Sequence, residues 1–119
     1  MTDIDFNNYD PQALQTVVVN YLETHAAKEH EKSEALFAPD ATIVDNGETF
    51  KGGKAFSEFL NSVDKEYETT IDWTKQNVID QTRVDVLSHV VGNFPGGEAD
   101  IWYRFTLDDD RITQLVIGL

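Results

Sequence analysis

The sequence contains no cysteine, one methionine, three prolines and only nine basic residues among its 119 positions. The absence of cysteine excludes disulfide bonds, thiolate nucleophiles and cysteine metal ligands. The nine Lys and Arg residues are outnumbered by 22 Asp and Glu residues, and the formal net charge is −13 at pH 7. A chain this acidic cannot neutralise many phosphates, so nucleic acid and anionic membranes are not expected as partners.

Long apolar runs are also missing. The first 30 residues contain no basic segment followed by an apolar stretch, so no signal peptide is predicted. No segment approaches the ~20 apolar residues that a membrane-spanning helix needs. We therefore expect a cytoplasmic protein that forms a single domain over residues 1–119, with the polar residues 1–8 flexible.

The spacing of apolar residues predicts three helices in the first half of the chain. Asp10-Pro11 is typical of a helix start, with Asp as N-cap and Pro at the first helical position. A second, shorter helix is expected over residues 29–37, ended by Pro39, and a third over residues 54–67. The first helix carries one apolar stripe, formed by Leu14, Val17, Val18, Tyr21 and Leu22.

The rest of the chain shows strand patterns. Asn46-Gly47 is a strong hairpin-turn signal between the short segments 41–45 and 48–51. From residue 69 onward apolar residues recur with a period of two, which predicts strands at residues 70–79, 84–94, 99–107 and 111–118. Three helices followed by long antiparallel strands favour an α+β fold with the helices on one face of the sheet.

Two segments resemble a known group of proteins. Residues 35–60 read ALFAPDATIVDNGETFKGGKAFSEFL and residues 101–118 read IWYRFTLDDDRITQLVIG. Together with the order of elements over residues 9–118, they resemble the nuclear transport factor 2-like superfamily, which includes ketosteroid isomerases, SnoaL-like polyketide cyclases and scytalone dehydratase. The resemblance implies a cone-shaped fold, in which three N-terminal helices pack on a strongly bent, mainly antiparallel sheet that encloses an apolar pocket.

Asp45 and Tyr21 are the candidate catalytic residues. Asp45 matches the general base of the ketosteroid isomerases, and Tyr21 matches their oxyanion-donating tyrosine. A carboxylate at the mouth of an apolar pocket is poorly solvated, so its pKa rises and it can accept a proton from a weakly acidic C–H group. Each residue also has a structural alternative: Asp45 can support the Asn46-Gly47 turn, and Tyr21 can bind a backbone carbonyl in the core.

Two positions depart from the isomerase pattern. The second oxyanion donor of the isomerases, a protonated aspartic acid, is replaced by Ile101, and a supporting tyrosine of the third helix is replaced by Leu60. Asp100 is adjacent, but it points to the opposite face of its strand unless a bulge is present. One oxyanion donor is typically worth ~3 kcal/mol of transition-state stabilisation, so these departures weaken the expectation of steroid isomerisation.

The two faces of the last strands are expected to have different roles. The resemblance implies that Trp102 lies on the outer face, where it suits a homodimer interface or forms a surface cation–π pair with Arg104. By the resemblance, the ligand-binding side chains are Phe59, Trp73, Ile101, Tyr103 and Phe105.

The three histidines do not form a metal-binding pattern. His25 and His30 are five residues apart, not the four that place two ligands on one helix face. His89 points outward if the apolar face formed by Val84, Val86 and Val90 is the inner one, as its apolarity indicates. If the opposite face is inner, His89 is a candidate acid/base of the scytalone dehydratase kind. We expect no metal and no organic cofactor.

The sequence therefore predicts an isomerase, cyclase or dehydratase-like protein that binds an apolar, carbonyl-bearing small molecule. Asp45 would remove a proton next to the carbonyl, and Tyr21 would stabilise the enolate. Two alternatives stay open: a non-catalytic ligand-binding module of the same fold, and an interaction domain that acts through its dimerising sheet. Resemblance in fold alone does not decide among them.

Overall fold

The computed structural model describes residues 7–119, which form three α-helices and one seven-stranded sheet. The helices are α1 (Thr16–Ala26), α2 (His30–Glu34) and α3 (Gly53–Glu66). The strands are β1 (Asn7–Asn8), β2 (Phe37–Asp45), β3 (Glu48–Lys51), β4 (Thr69–Asp80), β5 (Arg83–Gly92), β6 (Glu98–Asp108) and β7 (Arg111–Gly118).

The sheet has the strand order β1-β4-β5-β6-β7-β2-β3. All neighbouring strands are antiparallel except β2 and β7, which run parallel. The prediction of an α+β fold with a large, mainly antiparallel sheet is confirmed. None of the helices within residues 7–119 is long and apolar enough to cross a membrane.

The first helix begins later than its sequence signature predicted. Asp10 does act as a cap, accepting a hydrogen bond of 3.0 Å from the Gln12 backbone N–H, but it caps a short 3-10 helix over Pro11–Ala13. Helix α1 starts only at Thr16. Its predicted apolar stripe is buried throughout and extends by one more turn to His25, which is 6% exposed.

The second helix is shorter than predicted. It ends at Glu34, and Phe37 already belongs to β2, so the expected helical boundary at Pro39 is wrong. Pairing with β7 overrides the local preference: the Ile112 N–H donates to the Leu36 carbonyl over 2.9 Å. Pro39 lies where the register of β2 against β7 shifts, because proline cannot donate to a strand ladder.

The predicted hairpin turn is confirmed and fixes the end of β2. Asn46 and Gly47 have φ values of 50° and 89°, both in the left-handed region that a tight two-residue hairpin turn requires. The Asn46 N–H also donates to the Ile117 carbonyl over 2.9 Å. Asp45 is thereby held between Glu48 on one side and Ile117 on the other.

The expected flexible segment, residues 1–8, lies mostly outside the described residues. The two positions that the structure describes, Asn7 and Asn8, form β1 and pair with Gln76 and Lys75 of β4. Strand structure therefore begins earlier than the polar composition of this segment suggested.

A close backbone approach at Gly92 gives a test of the fold. A Cβ atom there would lie 2.4 Å from the Glu68 carbonyl oxygen, whereas one at Gly118 would meet nothing within 4 Å. We expect Gly92→Ala to lower the free energy of unfolding by roughly 1–3 kcal/mol, because the backbone must shift. Gly118→Ala should change it by less than about 0.5 kcal/mol. Urea denaturation measures both, and equal effects would contradict this packing.

Candidate functional site

A cavity of about 150 Å³ lies between the inner face of the sheet and the helices. The helices and the segment between α1 and α2 contribute polar and apolar side chains to its wall, namely His25, Lys28, His30, Leu60, Val63 and Asp64. The sheet contributes Asp45, Thr69, Ile71, Val90, Ile101, Tyr103 and Ile117.

Strand register places a carboxylate and a phenol on this wall. Asp45 of β2 pairs with Ile117 of β7, and Ile117 pairs with Tyr103 of β6. Directly paired residues point to the same face of a sheet, so all three side chains project toward the helices. With strands ~4.8 Å apart, Asp45 and Tyr103 are about two strand spacings from each other along the sheet.

The carboxyl group of Asp45 has a raised pKa, which makes it a stronger base than an ordinary aspartate. Burial, followed by the neighbouring charge of Glu48, raises the pKa of the Asp45 carboxyl from 3.8 to about 6. Its side chain is only partly buried, because it also lines a surface groove of about 400 Å³. Ile101 and Ile117 border both spaces. Asp45 therefore lines both the cavity and the surface groove.

Two buried tyrosines are joined through one histidine. The Tyr21 hydroxyl lies 3.4 Å from His25 Nδ1, and the Tyr103 hydroxyl lies 3.0 Å from His25 Nε2. Burial, with the nearby His30 and Lys28, lowers the pKa of His25 to about 3, so the ring is neutral at pH 7. A neutral imidazole donates at one nitrogen and accepts at the other, which suits a link between two hydroxyls.

Both tyrosines keep their protons at neutral pH. Burial raises the pKa of Tyr21 well above its ordinary value, and the proximity of Tyr103 and Asp45 adds to this shift. Burial and Asp45 likewise raise the pKa of Tyr103. The phenols are therefore hydrogen-bond donors rather than charged groups.

Tyr21 occupies a different place from Tyr103. Tyr21 is fully buried and lies behind the cavity wall, while Tyr103 and His25 line the cavity. Tyr21 thus reaches the cavity only through His25. The sequence analysis did not assign His25, although its position four residues after Tyr21 puts it on the same helix face.

The predicted ligand-binding residues divide into two groups. Ile101 and Tyr103 line the cavity. The other three pack in the surrounding core: Phe105 lies against Tyr21 with ring centres 5.5 Å apart, and Trp73 lies edge-on to Tyr103 at 5.1 Å. Phe59 of α3 contacts Phe50 of β3, with ring centres 4.8 Å apart.

The two residues that depart from the isomerase pattern line the cavity, whereas the neighbouring Asp100 does not. Leu60 and Ile101 both line the cavity and give it apolar walls where polar partners were sought. Asp100 is on the outer face, with a side chain 65% exposed, and its Oδ1 lies 2.7 Å from His89 Nδ1. Strand β6 has no bulge against β5 there. The outward orientation of His89 is confirmed, and its alternative role as a pocket acid/base is wrong.

The helical side of the cavity carries polar residues that the sequence analysis did not assign to the site. His30 is 2% exposed, and its Nε2 lies 2.7 Å from Asp64 Oδ2. His30 Nδ1 is buried without a hydrogen-bond partner. Lys28 donates from Nζ to Thr69 Oγ1, and burial lowers the pKa of its ammonium.

His25 and His30 come close without forming a metal-binding group. Their ring centres are 5.4 Å apart. Within residues 7–119, no three His, Cys, Asp or Glu side chains are arranged to hold a metal ion.

Comparison with known proteins identifies the fold. No protein-family model matches the chain, and no curated protein matches it. Among solved structures, a proposed polyketide cyclase from Sinorhizobium meliloti is 26% identical, with a TM-score of 0.84 over 92% of this chain and 100% of that one.

Two further solved structures hold ligands. A protein with a ketosteroid isomerase-like fold from Catenulispora acidiphila, in complex with trimethylamine, is 18% identical and has a TM-score of 0.78 over 90% of this chain and 87% of that one. TerC, co-crystallised with polyporic acid, is 17% identical with a TM-score of 0.73 over 87% and 88% of the two chains. At these identities the similarity shows the fold alone.

The raised pKa of Asp45 predicts a pH-dependent stability difference. The folded state holds the Asp45 proton up to a pKa of about 6, against 3.8 ordinarily, so ionising this carboxyl destabilises the fold as pH rises from 4 to 6. Asp45→Asn removes that penalty. We expect the variant to match the parent near pH 4 and to be more stable by about 1 kcal/mol at pH 8, after discounting for partial exposure.

Chemical denaturation at both pH values measures this difference. Asp40→Asn is the matched control, since Asp40 lies on the same strand and is exposed. A stability difference that is the same at pH 4 and pH 8 would contradict the raised pKa of Asp45.

Proposed function

Since the chain belongs by its fold to the nuclear transport factor 2-like superfamily, we propose that it binds a small carbonyl compound and transfers a proton at the carbon next to the carbonyl. The observation that carries this proposal is the shared cavity of Asp45 and Tyr103. One is a carboxylate with a raised pKa, and the other is a protonated phenol. Base and hydrogen-bond donor are the two groups that enolisation requires.

Asp45 acts as the general base in this proposal. A carboxylate with a pKa of about 6 is mostly ionised at pH 7 and is more basic than an ordinary aspartate. Its position between the surface groove and the inner cavity allows it to meet a ligand that enters from the groove. After removing a proton from one carbon, Asp45 returns it to another, so the reaction is an isomerisation without net proton change.

Tyr103 is the proposed oxyanion donor, and Tyr21 supports it. When Tyr21 donates to His25 Nδ1, the imidazole proton is on Nε2 and points to the Tyr103 oxygen. The Tyr103 proton is then free to bind the ligand oxygen. Hydrogen bonds in such a chain polarise one another, which strengthens the last donor. The sequence analysis assigned the oxyanion to Tyr21; in this proposal Tyr103 takes that role and Tyr21 acts on it through His25.

The cavity limits the part of the ligand that enters it. A volume of about 150 Å³ equals roughly five water molecules at their liquid volume, which is room for one six-membered ring. Leu60, Val63 and Ile71 make much of the wall apolar, and the adjoining groove leaves space for a longer substituent. Ligand complexes among proteins of this fold support a small-molecule role. Enolisation by a base and a hydrogen-bond donor needs no metal or organic cofactor.

The isomerisation of 3-cyclohexen-1-one to its conjugated isomer tests the proposal. This ketone is one six-membered ring with acidic C–H groups, and the absorbance of the conjugated product reports the rate. We expect Asp45→Asn to reduce the rate to background and Tyr103→Phe to lower kcat by about 10²–10³. The rate should rise with pH through about 6, because only ionised Asp45 accepts a proton.

Exposed Asp40 again supplies the matched control, and Asp40→Asn should retain full activity. Ligand binding with equal affinity by the parent and by Asp45→Asn, without turnover by either, would contradict catalysis and favour the ligand-binding module.

We further propose that the outer face of the sheet forms a homodimer interface. A groove of about 390 Å³ on this face is lined by Trp102, Arg104 and Val116 among other residues. Arg104 is held there by two hydrogen bonds to the buried Asp85, of 3.0 and 3.3 Å. A fixed guanidinium beside aromatic and aliphatic surface is typical of interface cores.

Two exposed valines allow a matched test of this interface. Val116 is 37% exposed in the groove, and Val78 is 40% exposed elsewhere on the sheet. We expect Val116→Asp to convert the dimer to a monomer, because the new carboxylate would be buried, whereas Val78→Asp should remain dimeric. Sedimentation velocity distinguishes the two states. A monomeric parent protein, or a dimeric Val116→Asp variant, would contradict the proposal.

A further inference from the structure

The buried His30–Asp64 pair has hydrogen-bonding capacity that the proposed proton transfer leaves unused. His30 lines the cavity and is 2% exposed. Its Nε2 lies 2.7 Å from Asp64 Oδ2. Its Nδ1 is buried and has no partner. A buried polar atom without a partner is unfavourable by about 1–3 kcal/mol in a folded protein, so this nitrogen calls for a specific explanation.

The contact with Asp64 determines what His30 Nδ1 can bind. An ionised carboxylate only accepts hydrogen bonds, so in the neutral form of the imidazole the contact with Asp64 places the proton on Nε2. Nδ1 then carries a lone pair and can only accept. The matching group on a ligand is a donor, either a hydroxyl or an N–H group.

This acceptor belongs to the helical wall of the cavity, whereas Asp45 belongs to the sheet. The segment from Lys28 to His30 is tied to the β4 edge of the cavity, because Lys28 donates to Thr69 at the start of β4. Asp45 is on β2, and β5, β6 and β7 separate these two strands in the sheet. A ligand that meets Tyr103 on the sheet and His30 on the helical side therefore carries two functional groups on different sides of its apolar body.

Lys28 narrows the choice between hydroxyl and N–H. Lys28 lines the cavity as His30 does, and its ammonium donates to Thr69 Oγ1. Lys28 has a φ of 63° because it ends α1 in a Schellman cap, in which the Glu29 N–H donates to the Thr24 carbonyl. The cap fixes the position of the Lys28 backbone at the end of the helix. A hydroxyl suits both neighbours, since its proton can bind His30 while its oxygen accepts from Lys28.

We propose that the ligand is a hydroxy-carbonyl compound, with its carbonyl at Tyr103 and its hydroxyl bound to His30 Nδ1. The inference rests on the proposed function for the carbonyl end and adds the substrate class. His30 determines specificity, and Asp64 is a positioning residue that holds the His30 proton on Nε2.

Three six-membered cyclic ketones test this proposal: cyclohexanone, 4-hydroxycyclohexanone and 4-methylcyclohexanone. The last two are nearly equal in size and differ in the hydroxyl. Dissociation constants come from chemical-shift titrations at pH 8. We expect the parent protein to bind the hydroxy ketone about 3–10 times more tightly than the methyl ketone, the range of one buried hydrogen bond.

Two substitutions of His30 form a matched pair. In His30→Gln the side-chain amide can replace Nε2 and keep the Asp64 contact, but the acceptor at Nδ1 is lost. In His30→Asn the amide oxygen can stand near Nδ1. We expect His30→Gln to lose the preference for the hydroxy ketone and His30→Asn to keep it in part. Unchanged cyclohexanone binding by both shows that the cavity is intact.

Asp64→Asn tests the positioning role. An amide can donate to Nε2, which allows the imidazole proton to move to Nδ1 and turns the acceptor into a donor. We expect the preference for the hydroxy ketone over the methyl ketone to fall to about one, with affinity for 1,4-cyclohexanedione increased. A structural role for Asp64 would instead weaken all ketones alike.

The outcomes separate this inference from the proposed function. A parent protein that prefers the hydroxy ketone, but does not isomerise 3-cyclohexen-1-one, would overturn the proton transfer alone. Equal binding of the hydroxy and methyl ketones by the parent protein would overturn the His30 inference. The His30 inference would also be overturned if His30→Gln kept the full preference for the hydroxy ketone, or if none of the three ketones bound.

Discussion

The parallel pairing of β2 with β7 is the constraint on which the rest of the site depends. It aligns Asp45 with Ile117, which in turn is paired with Tyr103. A shift of one residue would turn Asp45 to the outer face of the sheet, since neighbouring strand residues point in opposite directions. The Asn46-Gly47 turn and the hydrogen bond from Asn46 to Ile117 hold this register at the end of β2 where Asp45 lies.

The cavity wall is largely apolar, and most of its few polar side chains are hydrogen-bonded to one another. His25 joins two phenols, and His30 is joined to Asp64. Such buried networks are rigid because breaking one hydrogen bond leaves a desolvated partner. The same desolvation keeps His25 neutral and makes Asp45 a stronger base. The exclusion of water from this site therefore explains both the rigidity of its hydrogen-bond networks and the shifted pKa values of His25 and Asp45.

Local patterns predicted much of the fold. The stripe through Tyr21 and Leu22 and the Asn46-Gly47 turn depend on neighbours in sequence, and both are found in the structure. The boundary between α2 and β2 was wrong because pairing with Ile112, far along the chain, extends β2 back to Phe37. His30 went unassigned for a similar reason: its partner, Asp64, lies 34 residues away on another helix.

The sequence by itself determined the α+β class, the register of the Asn46-Gly47 hairpin and the choice of Asp45 as a candidate base. Each follows from side-chain chemistry and short-range periodicity. Only the tertiary structure decided which of the two tyrosines lines the cavity. Tyr21 and Tyr103 are both buried, but the packing of α1 on β6 puts His25 between them and leaves Tyr103 at the wall. Which buried groups share a cavity depends on contacts across the sheet, and no local pattern encodes those distances.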